Sequence, residues 1–149
     1  MGESKKLYLI PLIGSAVTIV LGIATLGLII ATLVHPTATG ITAAQGLGAG
    51  ATVFALIISP IIVIVFSVIG MKFSENKTSL RLIFNIITLC LVGVTILLGA
   101  VWVGMIGAGI IPYEPEMENL MNGISITVII AIIVQVLVGV GSVLNIVIK

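Results

Sequence analysis

Four long stretches of the chain carry no charged residue and are built almost wholly of aliphatic side chains: about Leu7 to Val34, Ala49 to Met71, Leu82 to Ile111 and Ile124 to Ile148. Crossing a hydrocarbon layer about 30 Å thick takes roughly 20 helical residues at about 1.5 Å each, and every stretch is long enough. A lone strand in lipid would leave its backbone N–H and C=O groups unpaired, and these runs lack the alternation of barrel strands. The pattern predicts an all-α integral membrane protein, one domain over residues 1–149 with four transmembrane helices in two helical hairpins.

The polar positions inside these stretches are spaced, not scattered. Ser15, Thr18, Gly22, Thr25, Ile29 and Thr32 recur at alternating intervals of three and four, and five of the six are small or hydroxylated. Lipid removes the hydrophobic drive between helices, so association depends on close backbone approach at small residues and on hydrogen bonds between helices. The spacing therefore reads as a packing face. The third stretch repeats it with Asn85, Thr88, Thr95, Gly99 and Gly109, interrupted by Val92, Trp102 and Ile106, and Ala100, Gly104 and Ala108 add a small-residue strip beside it. A pore lining would use the same residue types, but Gly and Thr serve packing equally well.

Near the centre of the fourth stretch lies Gln135, whose amide would cost several kcal/mol if left unpaired in hydrocarbon. Thr95 and Ser59 fall at a similar depth and are its expected partners; structural glue is preferred to a solute site. Asn85 and Asn145 fall near the ends of their stretches, where water or headgroups would serve them. Pro60 sits mid-span and removes a backbone donor, which predicts a kink, with Ser59 placed to help the freed carbonyl. Pro11 suits a first helical turn, and Tyr8 and Tyr113 fall where an interfacial aromatic belt would lie. Runs one and three exceed the length a perpendicular helix needs, so tilting or projection beyond the bilayer is expected.

Sliding the first helix by 77 positions lays Thr18, Ile19, Leu21, Gly22, Gly27, Ile29 and Ala31 on Thr95, Ile96, Leu98, Gly99, Gly104, Ile106 and Ala108, seven matches in fourteen. A hairpin duplicated in the same orientation would give this, with a pseudo-two-fold axis along the membrane normal. The small residue alphabet of membrane helices accounts for it equally well, and the second and fourth helices match poorly at that shift.

Composition agrees with the pattern: 60% of the 149 residues are hydrophobic, 7% are charged, and mean hydropathy is +1.43. The few charges add a direction. Lys5, Lys6, Lys72, Lys77, Arg81 and Lys149 all fall on one side of a four-span arrangement, which the positive-inside rule places in the cytoplasm with both termini. The opposite side has no Lys or Arg; its loops carry His35 and Pro36, then Pro112, Glu114, Pro115, Glu116 and Glu118. A net charge of +1 without a basic cluster argues against nucleic acid. The single cysteine, Cys90, rules out an internal disulfide.

Candidate chemistry is sparse. His35 is weighed as a haem or metal ligand with Met105 as a second axial partner, but beside Pro36 it reads better as an interfacial histidine. Glu114, Glu116 and Glu118 supply too few ligands for calcium and read as a solvated loop. Gly46, Gly48 and Ala51 match a dinucleotide pattern by letter but lead into a membrane helix, where that motif has no strand to follow. Asn76, Lys77 and Thr78 form a glycosylation sequon on the cytoplasmic side, so no modification is expected. The first stretch is too long for a cleaved signal, and Lys6 breaks the myristoylation pattern after Gly2.

Several four-helix membrane families are excluded by what is missing. Small multidrug exporters and rotary-ATPase ring subunits need an intramembrane carboxylate, while quinone-linked disulfide enzymes, claudins and tetraspanins need paired cysteines. The expected function is a structural subunit of a membrane-embedded oligomer or complex, not an enzyme and without cofactor or metal. It would pack through Ser15, Thr18, Gly22, Thr25, Thr32, Ser59, Thr95, Gly99, Gly104 and Gln135. Its partners would be the lipid bilayer, further copies or other membrane subunits. A channel or facilitator for a small solute or ion is the alternative, and a membrane anchor of a redox complex the third.

Overall fold

The computed structural model describes residues 2–33, 50–73, 78–107 and 118–147, and all of them are helical. They form four helices: α1 (Gly2–Leu33), α2 (residues 50–73), α3 (Thr78–Gly107) and α4 (Glu118–Val147). Each includes a span long and apolar enough to cross a membrane, namely Tyr8–Ala31, Gly50–Lys72, Leu82–Met105 and Glu118–Val147. Over the described residues the chain is thus an all-helical membrane protein with four candidate spans.

Contacting residues fix how the helices run. Gly22 of α1 lies on Leu56 of α2 and Gly70 of α2 on Tyr8, so α1 and α2 are antiparallel. Gly141 of α4 lies on Ile10 and Gly123 on Leu28, giving the same relation between α1 and α4. The Phe66 and Phe84 rings stack with centroids 5.3 Å apart between α2 and α3. α1 packs most extensively on α4, the first helix on the last.

The buried positions explain why these sequences pair. On α4 they include Met121, Ile124, Val128, Ala131, Gln135, Val138, Ser142 and Asn145, and on α1 Tyr8, Pro11, Ser15, Thr18, Gly22, Thr25 and Ile29. Both series alternate steps of three and four, the 3.5-residue period of helices that wind left-handedly around one another. Asn85, Thr88, Val92 and Thr95 continue it on α3.

The polarity of this interior is reversed relative to a protein folded in water. Among the described residues twelve polar side chains are buried against eleven hydrophobic ones, while Val20, Leu97 and Ile13 are 67%, 65% and 60% exposed. Such a surface is stable only where the surroundings are themselves apolar, because in water burying these aliphatic chains would be worth more than burying threonines.

Some local expectations are corrected. α4 begins at Glu118, before the apolar run starting at Ile124; a carboxylate in the first turn suits the positive end of the helix dipole, and Asn119, Asn122 and Gly123 extend the helix above the run. Pro11 lies well inside α1, which starts at Gly2, and not in its first turn. Tyr8 is 2% exposed, so it belongs to the core and not to a lipid-facing belt.

Candidate functional site along the bundle axis

At one end of the bundle all four helices meet through polar or small groups. Asn145 Nδ2 lies 3.5 Å from Asn85 Oδ1, and Asn85 Nδ2 lies 3.4 Å from Tyr8 Oη, long hydrogen bonds in which the amides donate. Gly70 completes the layer by lacking a side chain: a Cβ there would fall within 2.8 Å of the Tyr8 hydroxyl and still closer to its ring. Asn85 and Asn145 are 1% and 0% exposed. The expectation that water or headgroups serve these asparagines is therefore wrong; each lies on its helix's three-four series and meets the others across the axis.

Toward the middle, Val63, Val92 and Val138 form an apolar plug with Leu91 and Ile96 packed against it. Beyond it Gln135 Nε2 donates to Thr18 Oγ1 at 2.8 Å, and that hydroxyl donates to Gly14 O of its own helix at 2.8 Å. The partner of Gln135 is thus on α1, in place of the expected Thr95 and Ser59. The reason is the pairing of helices: the heptad face of α4 that carries Gln135 is the face laid on α1.

The third feature is a break in α2. Residues Phe54–Ile58 form a π-helical turn, and the Ser59 N–H donates to Phe54 O five residues back. The next amide in that register would serve Ala55 O, but it belongs to Pro60 and has no hydrogen. Thr95 of α3 supplies the missing donor: its Oγ1 lies 3.2 Å from Ala55 O and 2.9 Å from Leu91 O on its own helix. The kink expected at Pro60 thus takes the form of a π turn just before it, and the freed carbonyl is served by Thr95 and not by Ser59. In an ordinary α turn the proline ring would collide with the carbonyl four residues back, here that of Leu56. A Cβ on Gly22 would lie 2.7 Å from that same Leu56 oxygen, so α1 passes the break at a distance only glycine permits.

A cavity of about 20 Å³ lies beside the π turn, walled by Thr52, Ala55 and Leu56 of α2, Thr95 and Trp102 of α3, and α4 residues such as Val128. That volume has room for about one water molecule. The far end is apolar, with Ile29, Met121, Ile124 and Val128 clustered under Leu28, Trp102 and Met105. A polar link there is Thr25 Oγ1, 2.8 Å from both Thr127 Oγ1 and Leu21 O. The hydroxyls of Ser15 and Ser142 and the indole N–H of Trp102 are buried without a hydrogen-bond partner among the described residues.

Of the residues singled out in the sequence, Ser15, Thr18, Thr25, Ser59, Thr95 and Gln135 are buried, at most 2% exposed, and Gly22 lies at a helix crossing. Gly99 faces Ile132 and Val128 side chains at 3.1 to 3.2 Å from where a Cβ would stand. Gly104 stands apart: it is exposed, with no heavy atom within 4 Å of that point. The Thr32 side chain, His35, Tyr113, Glu114 and Glu116, and Gly109 and Ala108 of the third-helix pattern, lie outside the described residues. The sequence reading missed Tyr8, Thr52, Ser67, Thr127 and Ser142; continuing the α1 series back by seven from Ser15 finds Tyr8, and continuing from Gln135 forward by seven finds Ser142.

Among the described residues no three His, Cys, Asp or Glu side chains are grouped to hold a metal ion. The axial groups, amides, hydroxyls and a phenol, can donate and accept hydrogen bonds. No known family profile, curated protein or solved structure matches the chain.

Proposed function

We infer that this chain is a packing unit of a membrane-embedded assembly, in which copies or other membrane subunits meet along its lipid-facing helices. The observation that carries this reading is the division of small residues between two faces. Gly22 and Gly70 sit against neighbouring helices, whereas Gly93, Ala100 and Gly104 of α3 face outward, with no heavy atom within 4 Å of a Cβ on either glycine. Outward glycines cost helix stability and bring nothing to the bundle's own packing, but they allow another helix to approach closely. The α3 span is also the least covered of the four, 17% buried against 28% to 39%.

The polar interior favours this reading over a channel. Gln135, Thr18, Thr95, Asn85 and Asn145 are bonded to one another or to backbone, Val63, Val92 and Val138 pack together between α2, α3 and α4, and the cavity has room for about one water. The bilayer is the solvent, nucleic acid is no partner, and both termini face the cytoplasm, as the distribution of lysines suggests. The 77-residue offset belongs to the same proposal: Gly22 and Gly99 each face the next helix in the chain, as a duplicated pair of helices would have them.

The test is the protein mass in mild detergent after subtracting bound detergent. A mass of two or more copies, or of this chain with stable companions, is expected; Gly93→Leu with Gly104→Leu should lower it while the melting temperature does not fall. A monomer in mild detergent and in nanodiscs, with measurable solute flux in liposomes, would replace the assembly reading with the channel.

A further inference from the structure

The π turn, the proline after it and the threonine opposite form one device. Residues 54–58 make the wide turn, Pro60 withholds the amide hydrogen due to Ala55 O, and Thr95 reaches across from α3 to that oxygen. The Thr95 hydroxyl has a single proton and two acceptors within reach, Ala55 O at 3.2 Å and Leu91 O at 2.9 Å. Donating to Leu91 is the ordinary back-bond of a helical threonine and asks nothing of α2. Donating to Ala55 ties α2 to α3 at the point where α2's own ladder is interrupted. Thr88, one heptad earlier on α3, has a back-bond to Phe84 O at 2.9 Å and, among the described residues, no such cross-helix acceptor.

We propose that residues 50–58 of α2 are a hinged arm, pivoting at Pro60 and latched to α3 by the Thr95 hydroxyl. When the proton turns to Leu91, Ala55 O loses its donor, and the adjoining cavity has room for about one water to replace it. Ala51, Thr52, Ala55 and Leu56 all lie on the arm and wall that cavity, so its swing opens or closes the space against α3 and α4. π turns inside α-helices occur mostly as single turns, frequently at functional sites, and they are among the places where helices kink. Gly22 sets the limit on the other side, because the Leu56 carbonyl already rests against α1 at its closest approach.

Amide hydrogen exchange of the full chain in detergent micelles, followed by mass spectrometry, tests this. Thr95→Val keeps shape and removes the proton; exchange across residues 54–62 is expected to rise roughly three- to tenfold, with α1 and α4 unchanged. Thr95→Ser should match the parent, and Thr88→Val should leave residues 54–62 alone. Pro60→Ala restores the missing amide and should slow exchange there both alone and combined with Thr95→Val. Unchanged exchange in Thr95→Val, a rise shared by all four helices, or no slowing with Pro60→Ala would each overturn the latch.

Discussion

Gln135 of α4 and Thr18 of α1 share a 2.8 Å hydrogen bond between residues 117 positions apart, at the middle of the interface between the first and last helices. Hydrogen bonds between membrane helices average about 0.6 kcal/mol, since the separated helices find other partners. Gln135→Leu and Thr18→Val should each lower stability by about 0.5 to 2 kcal/mol, with a coupling near 0.6 kcal/mol in the double variant. Unfolding in mixed micelles measures this, and strict additivity would show that the bond contributes nothing. Liposome permeability should be the same for Gln135→Leu and parent.

Gly22 and Gly27 lie on one helix and differ in what surrounds them. A methyl at Gly22 would stand 2.7 Å from the backbone oxygen of Leu56, which cannot move aside without the helix, while nothing lies within 4 Å at Gly27. Gly22→Ala should destabilise by about 1 to 3 kcal/mol, the range of overpacking, and Gly22→Leu by more. Gly27→Ala should be neutral or slightly stabilising through helix propensity. Gly99→Ala should fall between, because its nearest neighbour is the Ile132 side chain at 3.1 Å, which can turn. Equal melting temperatures for the Gly22 and Gly27 variants would refute the close crossing.

Asn85 bridges Tyr8 and Asn145, so its loss breaks both links, where Tyr8→Phe breaks the one to Asn85. Asn85→Leu should cost about 1 to 3 kcal/mol and Tyr8→Phe under about 1 kcal/mol, measured by the same unfolding assay. A Tyr8→Phe effect as large as that of Asn85→Leu would mean that the phenol, and not the amide, holds this layer.

Orientation is tested separately from packing. In a Cys90→Ala background, cysteines at Ser4 and at Glu116 should react from opposite sides of the membrane with an impermeant thiol reagent. Reaction of both from outside intact cells would falsify cytoplasmic termini.

The helices, the α1 packing face and the burial of Gln135 were legible because each depends on one helix and its own period. Ser15, Thr18, Gly22 and Thr25 announce a shared side by spacing alone. What could not be read was which helix each side meets. Gln135 was matched by depth to Thr95 and Ser59, yet depth is shared by all four helices and the choice of neighbour depends on packing around the axis. The same gap hid the Asn85 and Asn145 contact, since residues near a span's end look solvated until a tyrosine and a glycine on other helices cover them. Pro60 gave the place of the break in α2 but not its remedy, because the Thr95 hydroxyl that serves Ala55 comes from 40 residues away. Gly104 shows a different gap: its spacing resembles a packing strip, and only the bundle reveals that this chain's own helices leave it uncovered.

The extensive pairing of α1 with α4 also bears on the order in which the protein can be made. α1 is translated before α4, and the side chains of its seam, Thr18 and Thr25 among them, must wait through two intervening helices before Gln135 and Thr127 exist to meet them. A nascent chain halted before α4 therefore holds a hydroxylated stripe open to lipid or to whatever escorts membrane proteins during insertion. Completion of α4 is what closes it, so a later helix acts as the check on an earlier one.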